Sequence, residues 1–205
     1  MTKERLAAFT DAILAIIMTI LVLELKKPNP ISWENLWQLR MNFFAYTISF
    51  FWLGAMWVLL HRNWHDIKSI SNKTVWQSLL MLFFSSFFPY ATNLVASDFI
   101  NSAAQSFYDI IVIAISCSNL WMQSDLSHIK ENQKAEAIQT FSVKKSRWLK
   151  LDMFLKTLGL FLSLTIWPSA MMYTVLFVSL AIVFPNSITE EKKLNKLTVL
   201  LEIPK

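Results

Sequence analysis

Glycine and cysteine are nearly missing from this chain, with two of one and one of the other among 205 residues. One cysteine excludes an intramolecular disulfide and any cysteine-based metal cluster. Two glycines exclude a G-x-G-x-x-G loop and a phosphate-binding loop, both of which rest on glycine backbone. They also exclude a T-V-G-Y-G carbonyl filter. Charge is scarce as well, at 16% of residues, where a soluble domain carries about 25%. Histidine occurs three times. His61 and His65 are spaced i,i+4, but no H-E-x-x-H motif and no cysteine cluster accompanies them, so no metal site is expected. No serine or cysteine has a recognisable catalytic setting, so neither an enzyme nor a cofactor is expected.

Apolar side chains fill the space these absences leave. The chain is 55% hydrophobic, with 16 Phe and nine Trp, a composition suited to lipid as solvent. About 20 mainly apolar residues cross a bilayer, and six such segments are expected, at 6–25, 41–60, 75–96, 102–122, 148–166 and 169–184. Pro89 predicts a kink in the third, and Asp109 interrupts the fourth. Residues 157–187 carry no charge and are too long for one untilted helix. Trp167-Pro168-Ser169 predicts the turn that divides them. Asp152 and Lys156, at i,i+4, open the fifth segment as a self-neutralising pair. Residues 123–147 read as a polar loop, helical in part, and 188–205 as a cytoplasmic tail.

The short basic start lacks a small-residue cleavage site after the apolar run, and it reads as a retained first membrane helix. With the N-terminus inside, the inner segments hold fifteen Lys and Arg and the outer loops three. That asymmetry predicts cytoplasmic termini in a multi-pass protein of the cell membrane. It also accounts for the net charge of +5 without nucleic acid.

The first segment joins two unlike halves. Ile16, Ile20 and Leu23 lie at i, i+4 and i+7 and form one aliphatic stripe, flanked by Ile13 and Thr19. Such a stripe is ordinary packing or lipid-facing surface in most helices. Asp11 lies on nearly the opposite face. A carboxylate there costs roughly 2.5–3.5 kcal/mol on insertion scales and needs a partner or water. Arg5, six residues away, points elsewhere. The end of the second segment, His61-Arg62-Asn63-Trp64-His65, lies at the same depth. His61, Asn63 and His65 are therefore candidate interhelical partners in a polar knot, and headgroup contact is the competing reading.

Arg5-Leu6-Ala7-Ala8-Phe9-Thr10-Asp11 resembles the R-x-x-x-F-S-D signature of the transmembrane protein 175 family of cation channels. Thr10 keeps the hydroxyl of the usual serine. The following A-I-I-M-T-I-L-V-L-E and the six-helix plan are similar as well. The resemblance implies an all-α homotetramer with six transmembrane helices per subunit and a central pore lined by the first helix. Potassium and other monovalent cations would permeate it. It further implies a constriction and gate at Ile16, Ile20 and Leu23, a hydroxyl layer at Thr19, and a structural role for Arg5, Phe9, Thr10 and Asp11. A proton-coupled transporter using Asp11, Asp109 and His61 as a relay is the alternative. It would bring inverted repeats and broken helices, and neither is visible in the sequence.

Overall fold

The computed structural model describes residues 1–129, 132, 136–165 and 167–178, without the side chains of residues 65, 66, 136–150 and 171. Eight helices follow one another among these residues: α1 (Lys3–Leu23), α2 (Trp33–Gln38), α3 (Arg40–Asp66), α4 (Asn72–Ser86), α5 (Phe88–Ser97), α6 (Ser102–His128), α7 (Glu136–Thr165) and α8 (Ala170–Val178). No strand occurs among the described residues. Helix is the economical solution for such a chain, because it satisfies the backbone within each segment. Helix starts carry their own side-chain acceptors. Thr2, Ser32, Ser71 and Asn101 cap α1, α2, α4 and α6, and Ser71 with Thr74 completes a reciprocal capping box.

Among the described residues, four stretches are long and apolar enough to cross a membrane: Lys3–Leu23, Arg40–Trp64, Asn72–Ser97 and Ser102–His128. The third is broken as the proline predicts. Phe87 closes α4 and opens α5, with Pro89 in the first turn of α5, where its missing N–H is tolerated. The predicted turn at Trp167–Ser169 also stands: the Ala170 N–H donates to the Trp167 carbonyl at 2.9 Å and α8 begins there.

The polar segment 123–147 is more helical than expected. Helix α6 runs on to His128, and α7 starts at Glu136 instead of near residue 148. An apolar run marks only the part of a helix that lipid covers, so polar extensions at its ends escape it. Of the expected sixth segment, Ala170–Val178 is helical. Residues 179–184 and the tail 188–205 lie outside the described residues.

Polar ties gather the helix ends into two groups. At one end the Lys3 ammonium donates to the Ile67 carbonyl at 2.8 Å, and Lys73 pairs with Asp125 at 2.5 Å. Buried Asn132 accepts from the Lys68 and Ser69 amides there. At the other end Asn93 donates to Glu24 at 2.5 Å. Gln105 and Ser169 both donate to the Phe99 carbonyl, at 2.7 and 3.0 Å. Between the ends, Trp52, Phe88 and Tyr108 stack with ring centroids 4.9 and 5.3 Å apart, joining α3, α5 and α6. In lipid such contacts stabilise by packing, since burial from tails gains little of the hydrophobic term.

Candidate functional site

Helix α1 has two faces. Leu6, Thr10, Leu14, Ile17 and Leu21 are buried against the bundle, at the spacing of one helical stripe. The opposite stripe is exposed along the whole helix: Arg5, Ala8, Ala12, Ala15, Thr19 and Leu23 all stand clear of the chain's own packing. Ile16 is 57% exposed, Ile20 37% and Leu23 79%. The exposed face is therefore small near the Arg5 end, where it is alanine, and bulky in the other half. The Thr19 hydroxyl lies on this face and donates to the Ile16 carbonyl at 2.7 Å.

The Arg5–Asp11 segment meets the bundle through two of its residues. The Thr10 hydroxyl, fully buried, donates to the Leu6 carbonyl at 2.9 Å and lies 3.2 Å from the Ser78 hydroxyl of α4. Asp11 accepts from the Trp57 indole N–H of α3 at 2.8 Å. Its other oxygen lies 3.8 Å from His61 Nδ1, an ion pair whenever that imidazole is protonated. Trp57 and His61 stack with ring centroids 5.5 Å apart, so the two partners of the carboxylate support each other. Phe9 is 41% exposed and Arg5 is exposed.

The expected interhelical partners thus have different fates. His61 reaches Asp11. Asn63 is buried in α3. His65 belongs to α3, but its side chain lies outside the described residues. The structure does not gather Asp11, His61 and Asp109 into one relay, because Asp109 is fully buried in α6 and faces Ser163 of α7. Two residues escaped the sequence reading. Trp57 sits in an apolar run, where tryptophan reads as lipid-facing surface, and its place one turn before His61 was the available signal. Ser78 carries no pattern that marks it.

The second buried polar group joins α7 to the core. Lys156, 4% exposed, donates to Asp152 at 2.7 Å and to the Ser116 hydroxyl of α6 at 2.8 Å. Its ammonium lies 5.2 Å from the Trp52 ring centroid. The i,i+4 pair expected from sequence is present, with Lys156 buried against α6 and Asp152 partly exposed.

Comparisons with known proteins bear on the family and the fold. Residues 5–89 match the family model described as endosomal/lysosomal potassium channel TMEM175. The chain is similar to a potassium channel of Chryseobacterium sp. (strain P1-3), with 41% identity over 97 residues, 47% of this chain and 50% of that one. It is similar to a potassium channel of Chamaesiphon minutus, with 28% identity over 69% of this chain and 75% of that one. A third relative, from Streptomyces collinus, is 27% identical over 55% of this chain and 58% of its own. The chain thus spans 50% and 58% of the first two curated relatives it matches. Its fold matches the crystal structure of a lysosomal potassium-selective channel TMEM175 homolog from Chamaesiphon minutus. That match has a TM-score of 0.64 and 23% identity, covering 87% of this chain and 96% of that one.

Proposed function

We propose, from the premise that this chain belongs to the TMEM175 family, that it is one subunit of a potassium-permeable channel whose pore is lined by α1. The relatives named potassium channels support the permeant ion. The observation that carries the pore assignment is the exposed face of α1 opposite its packed face. A single chain presents one such face and cannot close a passage with it. Four chains around a fourfold axis turn each exposed residue into a ring. Alanine rings at positions 8, 12 and 15 leave a wide vestibule at the Arg5 end. Ile16, Ile20 and Leu23 then form the constriction, which gates by narrowing or dewetting. Thr19 places a hydroxyl ring between the first two. The Thr10–Ser78 and Asp11–Trp57 contacts hold α1 to its own subunit, so its outer face stays aimed at the axis. Arg5 and Phe9 flank these anchors on the side away from the bundle.

In this arrangement six helices per subunit cross the cell membrane, with both termini cytoplasmic and the basic Arg5 end of the pore inside. The positive-inside asymmetry of the loops supports that orientation. Side chains replace the carbonyl filter that two glycines cannot build. Replacing Ile16 with asparagine tests the assignment in reconstituted liposomes. A polar ring of similar size removes the dewetting barrier, so Ile16→Asn raises potassium flux and admits sodium more readily. Wild-type flux and selectivity in that variant would move the pore away from α1.

A further inference from the structure

Residues 67–71 join α3 to α4 and belong to neither helix, so their backbone groups need partners from elsewhere. Two side chains distant in sequence supply them at Ile67, Lys68 and Ser69. Asn132, fully buried beyond the end of α6, accepts from the Lys68 and Ser69 amides at 2.9 and 3.1 Å. Its own NH2 group donates to the Ser69 carbonyl at 3.1 Å and to the Leu126 carbonyl of α6 at 3.0 Å. A side-chain amide can make four hydrogen bonds, and this one makes all four. From the other side, Lys3 at the start of α1 donates to the Ile67 carbonyl at 2.8 Å.

These two contacts share one peptide group. The Ile67 carbonyl and the Lys68 N–H belong to the same planar unit, which is trans, so they point in opposite directions. Lys3 holds one edge of that plane and Asn132 the other. Fixing the N–H edge therefore fixes where the carbonyl edge points. The bond to Asn132 also polarises the peptide and makes its oxygen a better acceptor. Ile67 is the C-cap of α3, where the helix dipole favours a cation. Farther along, α1 is held by Thr10 on Ser78 and Asp11 on Trp57. The Lys3 contact extends that hold to the first turn of α1.

We propose that Asn132 is a positioning residue for α1, acting through the Ile67–Lys68 peptide on Lys3. The tie stands whether or not the exposed face of α1 lines a pore. The test is amide hydrogen exchange of the purified full chain in detergent, read by mass spectrometry. Asn132→Ala speeds exchange several-fold in residues 67–71 and also in residues 3–9 of α1, while residues 14–23 of α1 keep the wild-type rate. Lys3→Met keeps the length, removes the donor and speeds exchange in residues 3–9. The double variant exchanges there no faster than the faster single variant, because both substitutions cut one route. Lys3→Arg restores the donor and returns residues 3–9 to the wild-type rate. Faster exchange in Asn132→Ala confined to residues 67–71 and 126–132 would overturn the proposal. So would a uniform rise along the chain, wild-type exchange at residues 3–9 in Lys3→Met, or single-variant effects that multiply in the double variant.

Discussion

At Asp11 the cost of a carboxylate within an apolar helix is met mainly by one indole N–H, 2.8 Å away. A hydrogen bond to a charged group contributes about 1.5–3 kcal/mol. The Asp11 side chain is 33% exposed, so the lower end of that range or less applies once water screens it. Trp57→Phe, which keeps the ring and removes the donor, therefore lowers the melting midpoint modestly. Asp11→Ala lowers it further and reduces the yield of the proposed tetramer, since Trp57 loses its acceptor and His61 its neighbouring carboxylate. Thermal melts with size-exclusion profiles check both, and wild-type values in both variants would remove the anchoring role. Thr10 behaves differently because it is fully buried. Thr10→Val keeps the shape and strands the Ser78 hydroxyl, at a cost of about 1 kcal/mol. Thr10→Ser restores the hydroxyl and melts near wild type.

Helix α7 is seated by charge as well as by packing. Removing one partner of a buried ion pair costs about 3–5 kcal/mol, whereas replacing both by apolar groups is often neutral. Lys156→Met leaves Asp152 unpaired, and Asp152 is 18% exposed, so a loss near the low end of that range is expected. Adding Asp152→Leu recovers most of it. A double mutant no more stable than Lys156→Met alone would show that the ammonium acts through Trp52 and Ser116 and owes little to its carboxylate. Much of this element was legible in the sequence, because i,i+4 spacing names Asp152 and Lys156 directly. Their depth was not, since Ser116 and Trp52 come from other helices. The same limit explains α1. Periodicity separates Leu6, Leu14, Ile17 and Leu21 from Ile16, Ile20 and Leu23, but Asp11 finds Trp57 and Thr10 finds Ser78 across the fold. Helix ends were misjudged where polar residues continue a helix beyond its apolar part, as in α6 and α7.

For the whole molecule, the charge pattern and the end-to-end ties describe one directional bundle. Lys3, Ile67, Lys73 and Asp125 meet at one end, and Glu24, Asn93, Phe99 and Gln105 at the other. In that bundle one long helix keeps an uncovered face from Arg5 to Leu23. Lipid or three more copies of the same face can cover it, and alanines on one half with bulky aliphatics on the other suit a vestibule leading to a constriction. The position of Ile16 in the assembled particle decides between the two covers. An experimental structure of the purified full chain in lipid nanodiscs would measure it. A pore lined by α1 requires a fourfold particle with α1 nearest the axis and four Ile16 side chains facing one another across it. A particle with α1 on the lipid-facing perimeter, or with Ile16 turned away from the axis, would contradict it.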